Sequence, residues 1–345
     1  MDLQLLVQTL DELGEPPFRA RQVWRWTAQG AGSYESMTDL PLALRSVLAE
    51  RVPFSTLTVD DEAHARDGTV KALFRTADGR PVEAVLMRYR DGRRSLCLSS
   101  QSGCPLTCTF CATGQMRFGR NLSASEIVDQ ALHFRRLGPA DHAVFMGMGE
   151  PMMNLDAVLA ACERLPDVGI TARRTAISTV GWIPGIERLA ADPRPLRLAL
   201  SLHAADPALR SELMPVNDRY PLEEVLAACE DHYRRKRRKV FVEYVMLAGV
   251  NDAHVQAVQL ADALGRAGSN IYKVNLIPYN PTGSEFEGSS PKAIEAFRAE
   301  LERRGLRATV RLTRGRDIDA ACGQLAARAA PPLTRAAPIR ASTAR

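Results

Sequence analysis

From residue 96 onward the sequence repeats one pattern, in which a strand-forming run is followed by a loop and a helix-forming run. Strands are predicted near 96–100, 143–147, 175–178, 196–202, 240–247 and 271–277. Their starts lie about 35 residues apart, which is the length of a βα unit. Helices are predicted at Ser125–Leu137, Leu155–Leu165, Gly185–Ala191, Leu222–Arg234, His254–Ala267 and Pro291–Arg304. Six such units predict an α/β fold, a parallel sheet curled into a partial (β/α)6 barrel, with reactive groups at the carboxyl ends of its strands.

Other patterns flank this repeat and predict the domain organisation. Residues 1–60 contain helix-forming runs and no strong strand, so we expect a small helical domain there. Its FRARQVWRW run either forms that domain's core, the reading we favour, or contacts RNA through its arginines and tryptophans. In residues 61–95, Asp-Gly pairs separate strand-forming runs, which predicts a β-meander linking segment. The partial barrel takes residues 96–325, and the Ala/Pro/Arg-rich residues 326–345 predict a disordered basic tail.

Composition and charge exclude several classes of protein. Apolar residues make up 46% of the chain, yet no apolar run approaches the ~20 residues of a membrane span. The first fifteen residues carry four acids and no base, unlike a secretory signal, so we expect a cytoplasmic protein. Four of the five net positive charges lie in the tail, so an RNA-binding surface has to be a local patch. One candidate is the basic run 234–239, although a solvated helix end explains it equally simply.

Three cysteines directly after the first strand of the repeat point to a metal centre. The segment SGCPLTCTFCATG places Cys104, Cys108 and Cys111 in a CxxxCxxC array. Three thiolates on one loop suit a [4Fe-4S] cluster whose fourth iron is left open to chelate a small molecule. A structural zinc ordinarily takes four ligands built from CxxC pairs, and this sequence has no second pair. The array therefore predicts an iron–sulfur cluster.

This array, with Phe110 before its last cysteine, resembles the signature of the radical S-adenosylmethionine superfamily. The resemblance implies that S-adenosyl-L-methionine binds the open iron and is cleaved to a 5′-deoxyadenosyl radical. Gly149 and Glu150, in FMGMGEP, resemble the segment that meets the amino group of the donor, where a carboxylate suits an ammonium. Other donor contacts are implied for polar or small positions at later strand ends, namely Ser178, Ser201, Leu202, His203 and Asn280.

Two further cysteines, Cys97 and Cys322, narrow the resemblance. Together with VEAVLM, GMGEPMMN, GEPPFRARQVW and DIDAACGQL they look like the RNA adenine-C2 methyltransferases of the RlmN family, over residues 10 to 325. The resemblance implies two RNA substrates, an adenosine in the peptidyl-transferase centre of 23S rRNA and the adenosine beside the tRNA anticodon. It also implies an electron donor such as flavodoxin or ferredoxin, and no membrane partner.

The same resemblance implies a role for each cysteine. Cys322 accepts a methyl group, the radical abstracts hydrogen from it, and the resulting methylene radical adds to adenine carbon 2. Cys97 then attacks the Cys322 sulfur, forming a transient disulfide that releases the methylated base. The family gives the role of base to a glutamate matched by Glu83. A two-residue turn at Asp91-Gly92 would pair Glu83 with Ser100, roughly 10 Å along the strand from Cys97.

Three alternatives remain open from the sequence. The related Cfr enzymes methylate adenine carbon 8 and keep the same cysteine pair, although the N-terminal segment favours carbon 2. The second alternative is a non-catalytic RNA-binding module that carries zinc. Bound zinc, with no iron or sulfide after anaerobic preparation, would identify it. A glycyl-radical activase would leave Cys322 without a role.

Overall fold

The structure is a computed structural model that describes residues 1–266 and 270–326. The tail predicted for residues 326–345 lies outside the described residues except for Ala326. The N-terminal part is helical, with three α-helices: α1 (Leu3–Glu12), α2 (Phe18–Ala28) and α3 (Leu42–Arg51). These helices share a small apolar core of their own around Leu6, Val23 and Leu48.

The FRARQVWRW run forms α2 and serves mainly as packing, as we favoured. Val23 is fully buried, and Trp26 packs against the N-terminal core. Trp24 packs against the larger core of the molecule, and its Nε1 donates a hydrogen bond to Asp167 (2.7 Å). Trp26 therefore belongs to the small core, as predicted, whereas Trp24 joins the N-terminal helices to the rest of the fold.

The predicted meander is present, and it is part of the central sheet. Its antiparallel strands are β1 (Leu57–His64), β2 (Val70–Thr76), β3 (Pro81–Arg88) and β4 (Arg94–Cys97). On its other side, β4 pairs in parallel with the next strand of the sheet. The meander and the parallel strands therefore form one continuous sheet. The domain limits at residues 60, 95 and 325 stay a prediction.

The predicted register between β3 and β4 is wrong by one residue. The Tyr89 amide donates to Arg93 O and the Gly92 amide to Tyr89 O, so the loop has three residues, 90–92, rather than two. Gly92 has φ +84°, a conformation that a glycine adopts without strain. Cys97 consequently pairs with Val85. Because side chains alternate along a strand, Glu83 and Cys97 lie on the same face of the sheet.

The remainder of the chain follows the predicted βα repeat. A two-stranded ribbon, β5 (Gln101–Ser102) and β6 (Arg120–Asn121), comes first. The parallel strands after β4 are β7 (His142–Phe145), β8 (Thr175–Thr179), β9 (Arg197–Ser201), β10 (Val240–Met246), β11 (Tyr272–Pro278) and β12 (Ala308–Val310). The helices are α4 (Ala124–Arg136), α5 (Leu155–Arg164), α6 (Ile183–Ala191), α7 (Pro207–Leu213), α8 (Leu222–Lys236), α9 (His254–Gly265) and α10 (Pro291–Arg303).

The central sheet has ten strands in the order β1-β2-β3-β4-β7-β8-β9-β10-β11-β12. The six predicted parallel strands are confirmed, and β12 and α7 are additions that the sequence analysis missed. The architecture is thus mixed α/β, with a central sheet and a helical N-terminal part, and the described strands leave β1 and β12 as its two edges.

The two faces of the parallel strands differ in polarity. One face packs under the helices through apolar residues such as Leu198, Val242 and Val274. The opposite face carries Ser178, Ser201 and Glu243 in the same strands. This alternation gives the sheet one face for its core and another for a polar site. No helix among the described residues is long and apolar enough to cross a membrane.

Candidate active site

The three cysteines of the CxxxCxxC array lie on one loop, which we call the cysteine loop (residues 103–119). The β5–β6 ribbon closes this loop at its base. Two glycines permit its fold: a Cβ on Gly103 would lie 2.5 Å from Arg117 O, and one on Gly114 would lie 2.8 Å from Cys108 O. The Thr109 amide donates to Leu213 O at the end of α7, which fixes the loop against that helix.

The electrostatics of the three thiols fit a metal–sulfur cluster. Burial raises the pKa of Cys104 to about 12 and the pKa of Cys108 well above its ordinary value, and the neighbouring cysteines add to both effects. Burial also raises the pKa of Cys111. Buried thiolates side by side are costly unless positive charge compensates them, and a cluster supplies that charge. The donor set therefore suits the predicted cluster.

Within residues 1–266 and 270–326, no three His, Cys, Asp or Glu side chains stand close enough to bind one metal ion together. A structural zinc ion requires such a group. Three thiolates that each bind a different iron of a cluster do not have to meet around a single ion.

A cavity of about 160 Å³, the donor cavity, opens beside the cysteine loop at the carboxyl ends of the strands. Cys111 lies in its wall, and Cys104 and Cys108 do not. Five of the predicted donor contacts line it, namely Gly149, Glu150, Ser178, Ser201 and His203. The strand ends therefore gather residues that are distant in sequence around one small-molecule site.

Glu150 is the only one of the five with a carboxylate, and its environment is unusual. Burial raises the pKa of Glu150 to about 7, although hydrogen bonds from the amides of Val180 (3.0 Å) and Met152 (3.0 Å) oppose this effect. Gly149 has φ +98°, and a Cβ there would lie 2.5 Å from Gln101 Cβ. A buried carboxylate on a constrained turn suits a cationic ammonium group in the donor cavity.

His203 is held in one orientation and one protonation state. Its backbone has φ +60°, which is rare for a residue other than glycine. Its Nδ1 accepts a hydrogen bond from the Val245 amide (3.0 Å), which leaves the proton of the neutral ring on Nε2. Burial lowers its pKa to about 3, and Phe110 packs edge-on against the ring. His203 is therefore a neutral hydrogen-bond donor in the wall of the donor cavity.

Two predicted donor contacts lie elsewhere. The Leu202 side chain is fully buried in the main core, so only its backbone lies near the site. Asn280 lines a neighbouring cavity instead, and its Nδ2 donates a hydrogen bond to Cys322 O (3.3 Å). The structure thus connects Asn280 to the segment that carries Cys322.

Cys97 and Cys322 line that neighbouring cavity, which has a volume of about 30 Å³ and which we call the cysteine cavity. All seven cysteines of the chain are free thiols in the structure. Burial raises the pKa of Cys97 to about 12, and the proximity of Cys322 adds to the shift. The two cysteines that are far apart in sequence therefore face one small space, beside the donor cavity.

Arg311 joins the two cavities and was missed by the sequence analysis. Its Nη1 lies 3.5 Å from Glu243 Oε2 and 3.3 Å from Met146 Sδ. The nearby Cys322 sulfur is the main cause that raises the pKa of Arg311. The positive charge of Arg311 in turn opposes part of the rise that burial causes in the pKa of Cys97. Arg311 directly follows β12, so recognising the alternation in RATVRL would have placed it at a strand end.

Cys322 lies on a segment, residues 315–326, that we call the cysteine segment. The Ala112 amide donates to Gly323 O (2.9 Å), and Thr113 Oγ1 donates to Leu325 O (2.5 Å). On its other side, Gln324 Nε2 donates to Pro281 O (2.9 Å). The cysteine loop and the loop after β11 therefore position Cys322 between them.

Glu83 lies on the sheet face of Cys97 but lines a third cavity, outside the donor and cysteine cavities. Its Oε1 pairs with Lys71 Nζ (3.1 Å), and its Oε2 accepts a hydrogen bond from the Ala326 amide (2.9 Å). The carboxylate thus contacts the end of the cysteine segment.

Comparison with known proteins defines the class first. Residues 98–261 match the model of the radical SAM superfamily, and residues 1–53 match the model of the ribosomal RNA large subunit methyltransferase N-terminal domain. The crystal structure of a radical SAM methyltransferase from Sphaerobacter thermophilus superposes with a TM-score of 0.88 at 44% identity, covering 95% of this chain and 98% of that one. The fold is thus that of a radical SAM methyltransferase.

Curated relatives then define the family. The "Probable dual-specificity RNA methyltransferase RlmN" of Chloroflexus aurantiacus is 47% identical over 96% of this chain and 93% of its own. The "Dual-specificity RNA methyltransferase RlmN" of Anaeromyxobacter dehalogenans is 45% identical over 96% of this chain and 92% of its own. The chain belongs to the RlmN family of radical SAM, dual-specificity RNA methyltransferases. Its cofactors are those of the superfamily, a [4Fe-4S] cluster and S-adenosyl-L-methionine, and its substrates are RNA.

Proposed function

We propose that this enzyme methylates carbon 2 of adenosine, in the peptidyl-transferase centre of 23S rRNA and beside the anticodon of tRNA. The observation that supports the sulfur route is that Cys97 and Cys322 line one cavity beside the donor cavity. The match of residues 1–53 to the ribosomal RNA large subunit methyltransferase N-terminal domain favours carbon 2 over carbon 8. Carbon 2 lies between two ring nitrogens and is too electron-poor to attack a methyl sulfonium directly. A pair of thiols next to the donor suits a route in which the methyl group passes through sulfur.

When bound, the cluster and S-adenosyl-L-methionine supply the methyl group and the radical. Cys104, Cys108 and Cys111 hold the cluster, and Glu150 binds the ammonium of the donor. Cys322 accepts the methyl group as a thiolate and presents it as S-methylcysteine. At the end of the reaction Cys97 attacks the Cys322 sulfur as a thiolate and forms a transient disulfide. The carbon–sulfur bond of the adduct breaks, and the methylene carbon on adenine keeps its electron pair and takes up a proton, which gives the methyl group of the released RNA.

We propose that Glu83 is the base that removes the proton from carbon 2 of the adenine. The support is that Glu83 shares the sheet face of Cys97 and contacts the cysteine segment through the Ala326 amide. Because the Lys71 ammonium pairs with the other carboxylate oxygen, Glu83 is positioned from both sides. Radical formation also requires an external electron, and we propose that a flavodoxin or a ferredoxin donates it. From the two proposed RNA substrates we infer that the reaction takes place in the cytoplasm.

Product analysis tests the proposed function. The protein, reconstituted with iron and sulfide under anaerobic conditions, is incubated with the donor, a reductant and either 23S rRNA fragments or tRNA. We expect mass spectrometry of the digested RNA to find 2-methyladenosine against authentic carbon-2 and carbon-8 standards. Finding 8-methyladenosine would assign the activity to the Cfr type. Finding neither product in any RNA would reject the proposal.

Gly315 positions the cysteine segment, so we predict that Gly315→Ala slows methylation of Cys322. Gly315 has φ +66°, and an added Cβ would lie 2.7 Å from Ala320 Cβ and 2.9 Å from Thr69 Cγ2. Displacing a reacting atom by about 1 Å costs up to about a hundredfold in rate, and we expect a loss of about tenfold to a hundredfold. Mass spectrometry of the Cys322 peptide after incubation with labelled donor measures this rate.

Gly305→Ala is the matched control for this prediction. Gly305 also has a left-handed backbone, with φ +82°, but nothing lies within 4 Å of its added Cβ. It follows α10, away from both cavities. Equal rates of Cys322 methylation in the two variants would show that Gly315 does not position the thiol.

A further inference from the structure

Another cavity, larger than the three already described, opens on the polar face of the sheet at the amino ends of its strands, and we call it the basic chamber. Its volume is about 660 Å³, within the ~300–1,000 Å³ range of small-molecule sites. Seven arginine or lysine side chains line it, against two carboxylates, Asp91 and Glu243. Because the chain carries a net charge of only +5 over 345 residues, this concentration of positive charge is local.

The chamber's positive charge is only partly neutralised. Glu243 receives a hydrogen bond from Asn275 Nδ2 (2.8 Å) and pairs with Arg311. By contrast, Arg197 and Lys273 have no carboxylate within 4 Å among residues 1–266 and 270–326. A concave site with unpaired cations focuses a positive potential and attracts a polyanion.

Aromatic rings hold these cations in position. Phe241 lies in β10 between β9 and β11, with Arg197 Cζ 5.7 Å and Lys273 Nζ 6.0 Å from its ring centroid. Across the chamber, Tyr89 holds Arg93 at 4.0 Å and Arg314 at 5.2 Å in the same way. Cation–π contact keeps a charged head in a defined place. Arg197 Nε also donates a hydrogen bond to Arg173 O (2.9 Å), which leaves the terminal N–H groups of Arg197 to bind a ligand. Two pairs of oriented cations thus face the same space.

The basic chamber leads to the reacting sulfur. Met146, Glu243 and Arg311 line both the basic chamber and the donor cavity, and Arg311 also lines the cysteine cavity with Cys322. The cysteine loop lies at the opposite, carboxyl end of the strands. A ligand in the basic chamber therefore reaches Cys322 without passing the donor.

We propose that the basic chamber binds the phosphates of the nucleotides next to the target adenosine, so that the RNA reaches Cys322 from the amino end of the sheet. The proposal rests on the proposed function, because it requires an adenosine at Cys322. The outer basic run, Arg234–Lys239, is the rival surface. Part of that run is engaged in the fold, since Lys236 Nζ donates to Arg194 O and Arg238 Nη2 to Arg173 O.

The test measures RNA binding at several salt concentrations with the full-length, cluster-loaded protein. The probe is an RNA stem-loop with an unpaired adenosine, and a duplex of equal length is the competitor. We expect the Arg197→Gln/Lys273→Gln variant to raise the Kd about tenfold or more and to make the salt slope shallower by about 1.4, or ~0.7 for each lost contact with a single strand. The charge-retaining variant Arg197→Lys/Lys273→Arg should restore most of the slope.

Arg234→Gln/Arg235→Gln removes the same charge from the outer run and is the matched control. Both side chains are exposed, and both lie near Asp231 in α8. Iron content and the thermal midpoint show that each variant is folded and loaded. Equal loss in the two glutamine variants, or loss in the control alone, would overturn the proposal.

The outcome is separable from that of the proposed function. If the parent protein makes no methyladenosine while the two glutamine variants differ in RNA binding as expected, the proposed function fails and only RNA binding by the basic chamber stands. If the parent methylates carbon 2 and the chamber variant binds RNA like the parent, the basic chamber fails alone.

Discussion

A Cys97→Ala variant is expected to accumulate RNA covalently attached to Cys322. Cys97 faces the same small cavity as Cys322, and alanine removes the only function that the proposed mechanism gives it, the release of the methylated base. Steps before release do not require Cys97, so the adduct should form and persist. We expect released product to fall by about a thousandfold or more, as for other residues that act as a nucleophile.

Denaturing gel electrophoresis with labelled RNA, followed by mass spectrometry of the Cys322 peptide, measures the adduct. Cys162→Ala is the matched control, because Cys162 is also a buried thiol but packs in the main core. Release of methylated RNA at the parent rate by Cys97→Ala would remove Cys97 from the mechanism. Burial raises the pKa of the Cys97 thiol to about 12, so in the parent we also expect release to quicken as pH rises.

A Cys108→Ala variant is expected to lose the cluster and, with it, cleavage of the donor. Cys108 is buried and lies near the other two ligands, so its loss would leave only two thiolates for a cluster that needs three. Deoxyadenosine formation should fall to background, because nothing then delivers an electron to the sulfonium. Iron and sulfide analysis after anaerobic reconstitution gives the first readout, and chromatography of deoxyadenosine gives the second.

Cys229→Ala serves as the control for this loss, since Cys229 is also a buried thiol but belongs to α8 and the main core. It should bind iron and sulfide as the parent does. A Cys108→Ala protein that retains a full cluster and cleaves the donor normally would contradict the assignment of the three ligands. The same result would also remove the basis for an open iron.

The parallel strands could be predicted because their sequence pattern is local. Each of the six predicted runs is rich in strand formers and is followed by a helical run with recognisable ends. The seventh, β12, has only three residues and exposes two of them, so its apolar pattern is too short to stand out. Arg311 was missed for the same reason, because a residue can be placed at a strand end only when the strand itself has been predicted.

The candidate site shows the same limit in a different form. The CxxxCxxC array is local, and its interpretation needed no tertiary information. The relation between Glu83 and Cys97 depended on a hairpin register, and a one-residue difference in the loop moves a side chain to the other face of a strand. The basic chamber could not be predicted, because it assembles side chains such as Arg93, Arg197 and Lys273 from three separate strands or turns.

The hydrogen bonds from Ala112 and Thr113 to the cysteine segment couple the methyl-carrying sulfur to the loop that holds the cluster. These donors directly follow Cys111, and their acceptors, Gly323 O and Leu325 O, closely follow Cys322. A substitution that displaces Cys111 should therefore displace Cys322 as well, so damage to one cluster ligand would impair both halves of the reaction.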